Sequence, residues 1–411
     1  MMNDPQQLLF SLRSMTVYRG LLQDPAVKSL LQLLDSRECP PAQAAKSYGD
    51  LFCTLTKAGM SLSDYLYEQV VYDDNLYTRL CAGNKPVPEA LLAAARHDLS
   101  AIGSLAYLGA QELKSHLRTC YPTLGDAVDA LPEYSCEHAR FTLHEGDWAA
   151  EAEALREFCR DNGYGKFARH HVFVPDEDAN LAPLESYDPV TLEDLIGYEQ
   201  QINTVKENTL ALLAGKGGAN ILLYGDKGTG KSSTVKAVAN SYADRGLRLI
   251  LVKKSQILLL PQVFSQLAQN PMKFIIFLDD LSFSDIDDSF SALKSIIEGG
   301  EQVALSNAVI YATTNRRHLV RETFSSRLGD EVHLSDSLDE AVSLSDRFAI
   351  TLTYLKLDRA EYIAMVCEML ARAGIADSDE LRAQALAYSV RKGGYSPRVA
   401  HQFVAQKLRE L

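Results

Sequence analysis

Residues 225–232 read GDKGTGKS, and the short apolar run NILLYG (220–225) leads directly into them. A helical pattern follows. The stretch fits the spacing Gly-x-x-x-x-Gly-Lys-Ser, with Gly225, Gly230, Lys231 and Ser232 at the defining positions. Glycines let a backbone wrap closely around phosphate oxygens with its N–H groups turned inward. The amino end of the following helix adds partial positive charge. A lysine here reaches β- and γ-phosphates, and the Ser232 hydroxyl is a ligand for Mg²⁺. Asp226, Lys227, Gly228, Thr229 and Ser233 complete the expected phosphate-binding stretch. The plain alternative is a glycine-rich turn, but its place between a strand and a helix favours the phosphate loop.

A strand that ends in such a loop needs parallel neighbours. LRLILVKK (247–254), KFIIFLDD (273–280), NAVIYATTN (307–315) and FAITLTYL (348–355) are further near-continuous apolar runs separated by helical patterns. Runs apolar throughout suit strands buried on both faces of a parallel sheet. We therefore expect an α/β core with a five-stranded parallel sheet over 185–356 and a helical segment over 357–411. Residues 1–120 and 147–165 carry apolar residues at three- and four-residue spacing, which predicts a mainly α-helical N-terminal domain over 1–180. HHVFVPDEDANLAPLESYDP (170–189) is rich in Pro, Asp and Glu. It reads as irregular, and the boundary is expected near 175–190. A chain of 411 residues is long enough for these several domains.

In FIIFLDDLSF (274–283) two adjacent carboxylates stand at the end of a buried strand. In open α/β sheets that edge is where ligands bind. Asp279 is the candidate for holding Mg²⁺, and Asp280 for orienting or deprotonating an attacking water. A capped helix start is the structural alternative. The guanine-recognising pattern Asn-Lys-x-Asp is absent, since Asn84-Lys85 is followed by Pro86 and Val87, so ATP and ADP are the expected nucleotides.

With these motifs the sequence resembles an AAA+ ATPase, and more closely an uncharacterised bacterial family of AAA+ ATPases known as a domain of unknown function. The resemblance covers about residues 185–405. It makes GDKGTGKSS and FIIFLDDLSF the Walker A and Walker B motifs. In LEDLIGYEQQ (192–201) it implies that Leu195, Ile196 and Gly197 pack on adenine. It implies that Asn315, in YATTNRRHL (311–319), reaches the attacking water or the γ-phosphate. It makes Arg347, in SLSDRF (343–348), an arginine finger acting on a neighbour's nucleotide, and Arg398, in GGYSPRVAHQF (393–403), a lid residue reaching back to the nucleotide. The residue types suit these roles: a neutral amide both donates and accepts, and guanidinium groups carry permanent charge. Ordinary alternatives stand beside each: a strand-end cap for Asn315, a pairing with Asp346 for Arg347, a surface position for Arg398. Arg316, Arg317 and His318 form a basic cluster without an assigned role.

Two departures separate this chain from the family pattern. Asp280 stands where a Glu is usual, one methylene shorter. VKKSQILLLPQVFSQL (252–267) lacks the aromatic–aliphatic–Gly pore loop of protein-threading relatives. The resemblance implies an Mg²⁺-dependent ATPase that forms homo-oligomers, a hexameric ring among them, and acts on a protein partner. A slow-hydrolysing switch or loader is the alternative.

Charge and cysteine usage bear on partners. The net charge of −13 resides entirely in the first 200 residues, a poor match to a phosphate backbone, so nucleic acid is neither indicated nor excluded. Seven scattered cysteines, none in a CxxC spacing, fit a reducing compartment, and no apolar run suits a signal peptide or membrane span. A cytoplasmic protein is the expectation. Cys136, His138, His144 and the pair His170-His171 match no strong metal-binding spacing.

Overall fold

A computed structural model of the chain describes residues 4–35, 39–134, 148–268, 270–282, 288–297, 305–315 and 347–410. The chain divides into two compact units, Met1–Arg169 and His170–Leu411. Among the described residues no helix is long and apolar enough to cross a membrane.

The described residues of the first unit are helical, with no strand among them. Local chemistry cuts the helices shorter than their periodicity suggests. SLSDYLYEQVVYDDNLYTRL carries one continuous pattern, yet it forms Leu62–Val71 and Leu76–Ala82. Asn75 and Thr78 make a reciprocal capping box that starts the second helix. Two side chains then organise the interior. Gly103 lies beneath the buried Trp148, where a Cβ would stand 2.8 Å from the indole Cγ, so only a glycine lets the ring lie on the helix Glu89–Ala106. On the same helix Asp98, fully buried, accepts from the backbone N–H groups of Thr16, Val17 and Tyr18 at 2.9, 2.7 and 3.0 Å. One carboxylate thereby satisfies three donors of a non-helical turn that would otherwise be orphaned.

The second unit is built on a sheet of seven strands: β1 (Val172–Pro175), β2 (Leu181–Pro183), β3 (Ile221–Gly225), β4 (Leu247–Val252), β5 (Lys273–Leu278), β6 (Ala308–Thr314) and β7 (Ile350–Tyr354). Their order is β2-β1-β4-β5-β6-β3-β7. All pairings are parallel except β1 with β2. The expected five-stranded parallel sheet is therefore corrected to a mixed sheet of seven. The five apolar runs are all strands. The two additions come from 170–183, which the composition marks as irregular. They are short and carry prolines; β1 docks onto the β4 edge and β2 pairs with β1. The His171 carbonyl accepts from the Leu249 N–H at 2.9 Å, and the Asp176 carboxylate accepts from the N–H groups of Asp178 and Asn180 to close the turn between them. Such contacts leave no periodic signal in a sequence.

β3 lies between β6 and β7, so the loop after it opens at the carboxyl edge of the sheet, flanked by the ends of β6 and β7. Three helices, Arg359–Arg372, Asp379–Arg391 and Pro397–Glu410, follow β7 and bury a small core of their own around Tyr362, Val366, Leu370, Ala400 and Phe403.

Replacing Asp98 with Ala leaves three backbone donors without an acceptor. The N-terminal unit is expected to lose about 3 kcal/mol of stability. Trp148 is the only tryptophan, so its fluorescence in a denaturant titration reads this loss directly.

Candidate nucleotide-binding site

The loop after β3 is shaped by glycines at positions where a side chain has no room or no allowed backbone. Gly225 has φ +143°, and a Cβ there would lie 2.0 Å from the Tyr354 carbonyl oxygen. That closeness lets the Asp226 N–H donate to the same carbonyl at 3.0 Å, which carries the β3–β7 pairing into the loop. Gly228 has φ +78°, and its carbonyl accepts from the Arg398 N–H at 3.2 Å. Gly230, at φ +95°, caps the helix Lys231–Ser241. The Thr229 hydroxyl donates back to the Asp226 carbonyl at 2.8 Å and closes the turn.

Lys231 is the first residue of that helix, and it is buried. Its Nζ donates to the carbonyls of Gly225 and Asp226 at 2.8 and 2.7 Å, and to Asn315 Oδ1 at 3.1 Å. Burial holds its ammonium below the usual lysine range, against the opposing pull of Asp226, Asp280 and Asp279. An ammonium kept at this helix amino end, among carbonyl dipoles, is a fixed cation for a phosphate tail.

The two carboxylates follow β5. The hydroxyls of Ser232 and Thr313 both donate to Asp279 Oδ1, each at 2.6 Å. Ser232 points its O–H at Asp279 and keeps lone pairs free for a cation. A serine hydroxyl beside one carboxylate is the hard-oxygen set that Mg²⁺ takes when phosphates and water supply the rest. Among the described residues no group of three His, Cys, Asp or Glu side chains could hold a metal ion, so the donor set has no all-protein cage. Asp280 adopts φ +53°. The Asn315 amide donates to its Oδ1, so Asn315 joins Asp280 to Lys231.

Two cavities lie on either side of Arg398. One, of about 580 Å³, is lined by Gly228, Asp280, Asn315, Lys356, Lys392 and Arg398. The other, of about 320 Å³, is lined by Leu195, Ile196, Gly197, Ser233, Pro397 and His401 among others. Gly197 adopts φ +77°, and a Cβ there would stand 2.9 Å from the Met365 Cε. The first cavity meets Asp280 and the cations Lys356, Lys392 and Arg398; the second is a narrower cleft with an aliphatic wall.

The structure thus gathers most of the residues singled out from the sequence: the loop 225–230, Lys231, Ser232, Ser233, Asp279, Asp280, Asn315, Ile196, Gly197 and Arg398. It does not bring Arg347 to them. Arg347 precedes β7, which runs parallel to β3, and therefore stands at the opposite edge of the sheet from the loop. Arg316, Arg317, His318, Asp346, Cys136, His138 and His144 lie outside the described residues. Sequence reasoning did not single out Thr313, Lys356, Lys392 or His401. For Thr313 a signal existed: two residues before Asn315 in a strand, it shares that residue's face.

Comparison with known proteins adds a family. A family model described as "Protein of unknown function (DUF815)" matches residues 168–410. Among solved structures, the RuvB Holliday junction branch migration motor of Thermotoga maritima is 18% identical, with 54% of this chain and 65% of that chain covered and a TM-score of 0.35. The ORC1 protein of Aeropyrum pernix, solved in complex with DNA, is also 18% identical, with 53% and 61% covered and a TM-score of 0.37. This chain spans less than two thirds of either structure's length. No curated protein matches it.

The two loop glycines separate crowding from backbone strain. Gly230→Ala, where no atom stands within 4 Å of the added Cβ, is expected to cost about 1–2 kcal/mol for its backbone conformation alone. Gly225→Ala meets the Tyr354 carbonyl and is expected to cost more than twice that. Chemical denaturation of the two variants beside wild type checks the order.

Proposed function

The chain belongs to the DUF815 family, whose model covers residues 168–410, and from the geometry of its loop we propose that it is an Mg²⁺-dependent ATPase of the AAA+ type. One observation carries the proposal. The buried Lys231 ammonium, Asn315 and Asp280 form one hydrogen-bonded series across the ends of three parallel strands, while Ser232 and Asp279 pair beside it. That is the arrangement needed to hold a triphosphate, a divalent cation and a water in one place.

In this reading the backbone N–H groups of 226–230 and Lys231 hold the phosphates. The adenine enters the cleft of Ile196 and Gly197, with Arg398 between base and phosphates. Ser232 and Asp279 would hold Mg²⁺, which supplies charge neutralisation at the phosphate oxygens. Asp280 accepts a proton from the attacking water, and Asn315 orients that water or the γ-phosphate. Arg398 lies on the last helix and donates its N–H to Gly228, so nucleotide and helix 397–410 move together. A helical N-terminal domain, an ATPase core and a lid (357–411) belong to the same proposal, as does a cytoplasmic location; the first boundary falls at 169/170 and not near 180, because β1 pairs with β4 in the sheet of the core.

Arg347 enters only through a second copy of the chain. Its place at the far sheet edge favours a finger that acts on a neighbour's nucleotide, and with it a homo-oligomer, either ring or arc. The work of such an assembly would fall on a protein partner. A second reading, a slow switch or loader, is favoured by Asp280 itself. Its short side chain is engaged by Asn315, which suits an acid that is held back until a partner or neighbour rearranges the site.

ATP turnover distinguishes these readings. Lys231→Ala is expected to abolish nucleotide binding. Asp280→Asn is expected to retain binding and to lower turnover about 100-fold or more. Equal turnover in wild type and both variants sinks the site assignment. Tight binding with very slow turnover in wild type selects the switch.

For the finger, Arg347→Ala and Lys231→Ala subunits are each expected to be inactive alone and to regain activity when mixed. Mixed assemblies that form but stay inactive would rule out action between subunits.

A further inference from the structure

We infer that Thr313 is a positioning residue that sets both carboxylates of the site through a single hydroxyl. Its Oγ1 donates to Asp279 Oδ1 at 2.6 Å and accepts from the Asp280 N–H at 2.9 Å. The residue is 2% exposed. A hydroxyl has one proton and two lone pairs, and here the proton goes to one acid while a lone pair takes the backbone of the next. The inference rests on the reading of Asp279 and Asp280 as the metal and water residues.

The backbone explains why such a clamp is needed. Asp280 is in the left-handed region, at φ +53°. A non-glycine residue holds that conformation only when its surroundings over-determine it. The surroundings come almost entirely from one segment of β6. The Leu281 N–H donates to the Thr313 carbonyl at 2.8 Å, and the Thr314 hydroxyl donates to the Leu281 carbonyl at 2.8 Å. Thr313 thus holds the chain before and after the turn, by side chain and by backbone. The turn swings the Asp280 carboxylate towards Asn315. In an extended backbone successive side chains would point to opposite faces of the sheet. The left-handed residue lets two consecutive acids serve one site.

The Asp279 oxygen bonded to Thr313 also receives the Ser232 hydroxyl. Thr313 therefore sets the orientation of the carboxylate that pairs with the metal-binding serine. Its removal should disturb the acids while leaving the loop, and so the nucleotide, largely in place.

Thr313→Val, which keeps the branched shape and loses the hydroxyl, is compared with Thr313→Ser in the full chain. In nucleotide-free protein, amide hydrogen exchange in the segment 278–282 is expected to quicken at least about 10-fold in the Val variant and to stay at the wild-type rate in the Ser variant. In steady-state ATP hydrolysis the Val variant is expected to lose about 10- to 100-fold in kcat and to need more Mg²⁺ for half-maximal rate. Its affinity for a fluorescent ATP analogue should stay within about 3-fold of wild type, and the Ser variant should recover turnover. Unchanged exchange in the Val variant, or a Ser variant as impaired as Val, overturns the inference. If wild type itself does not hydrolyse ATP, the ATPase reading fails, and the exchange comparison still decides whether Thr313 is the clamp. Should the Val variant unfold, Thr313→Ala supplies the same comparison.

Discussion

The buried ammonium of Lys231 joins the ends of three strands. It takes the carbonyls at the end of β3, and the Asn315 side chain at the end of β6, which in turn holds Asp280 after β5. Burying a charge is costly, and burial pulls the lysine pKa down. What makes the position tenable is local: two carbonyl acceptors, one amide oxygen and the nearby carboxylates. The loop shape, the strand order and the placement of the acids all serve this one buried cation. If β3 lay elsewhere in the sheet, Asn315 and the acids would not meet it.

The paired acids show how a strand end is converted into a site. A buried strand delivers alternating side chains to opposite faces, so adjacent carboxylates at its end would normally diverge. Here the left-handed turn at Asp280, held by Thr313 and Thr314, directs both into one region. Adjacent acids come into register only because the neighbouring strand grips the turn. The missing methylene of Asp280 relative to Glu is therefore a question of how far this turn brings the carboxylate, and side-chain length is only part of the answer.

The fold was legible where one physical rule dominates. Strands buried on both faces read as unbroken apolar runs, and all five such runs are strands of the sheet. The loop after β3 was legible because its glycines are required by backbone conformation, as at Gly225 and Gly228. Legibility fell where structure depends on a distant partner. β1 and β2 are short and proline-bearing; β1 joins the sheet through β4, and β2 through β1. The helices of the N-terminal unit were legible as helices, but their ends were set by caps such as Asn75. There the interior was fixed by pairings far apart in sequence, such as Gly103 with Trp148 and Asp98 with the turn at 16–18.

The candidate site divides in the same way. Lys231, Ser232 and the glycines were visible in the sequence alone, because they stand at a fixed spacing within one strand–turn–helix. The identities of Asp279, Asp280 and Asn315 were also visible, as polar residues where apolar strands end. Tertiary structure alone decided that Asn315 touches both Lys231 and Asp280, that Thr313 joins the two acids, that Lys356 and Lys392 line the same cavity as Asp280, and that Arg347 stands at the far edge of the sheet. The physical reason is reach. Spacing in sequence governs contacts within one turn or one strand, whereas contacts between strand ends depend on the order in which parallel strands lie side by side, and periodicity carries no record of that order.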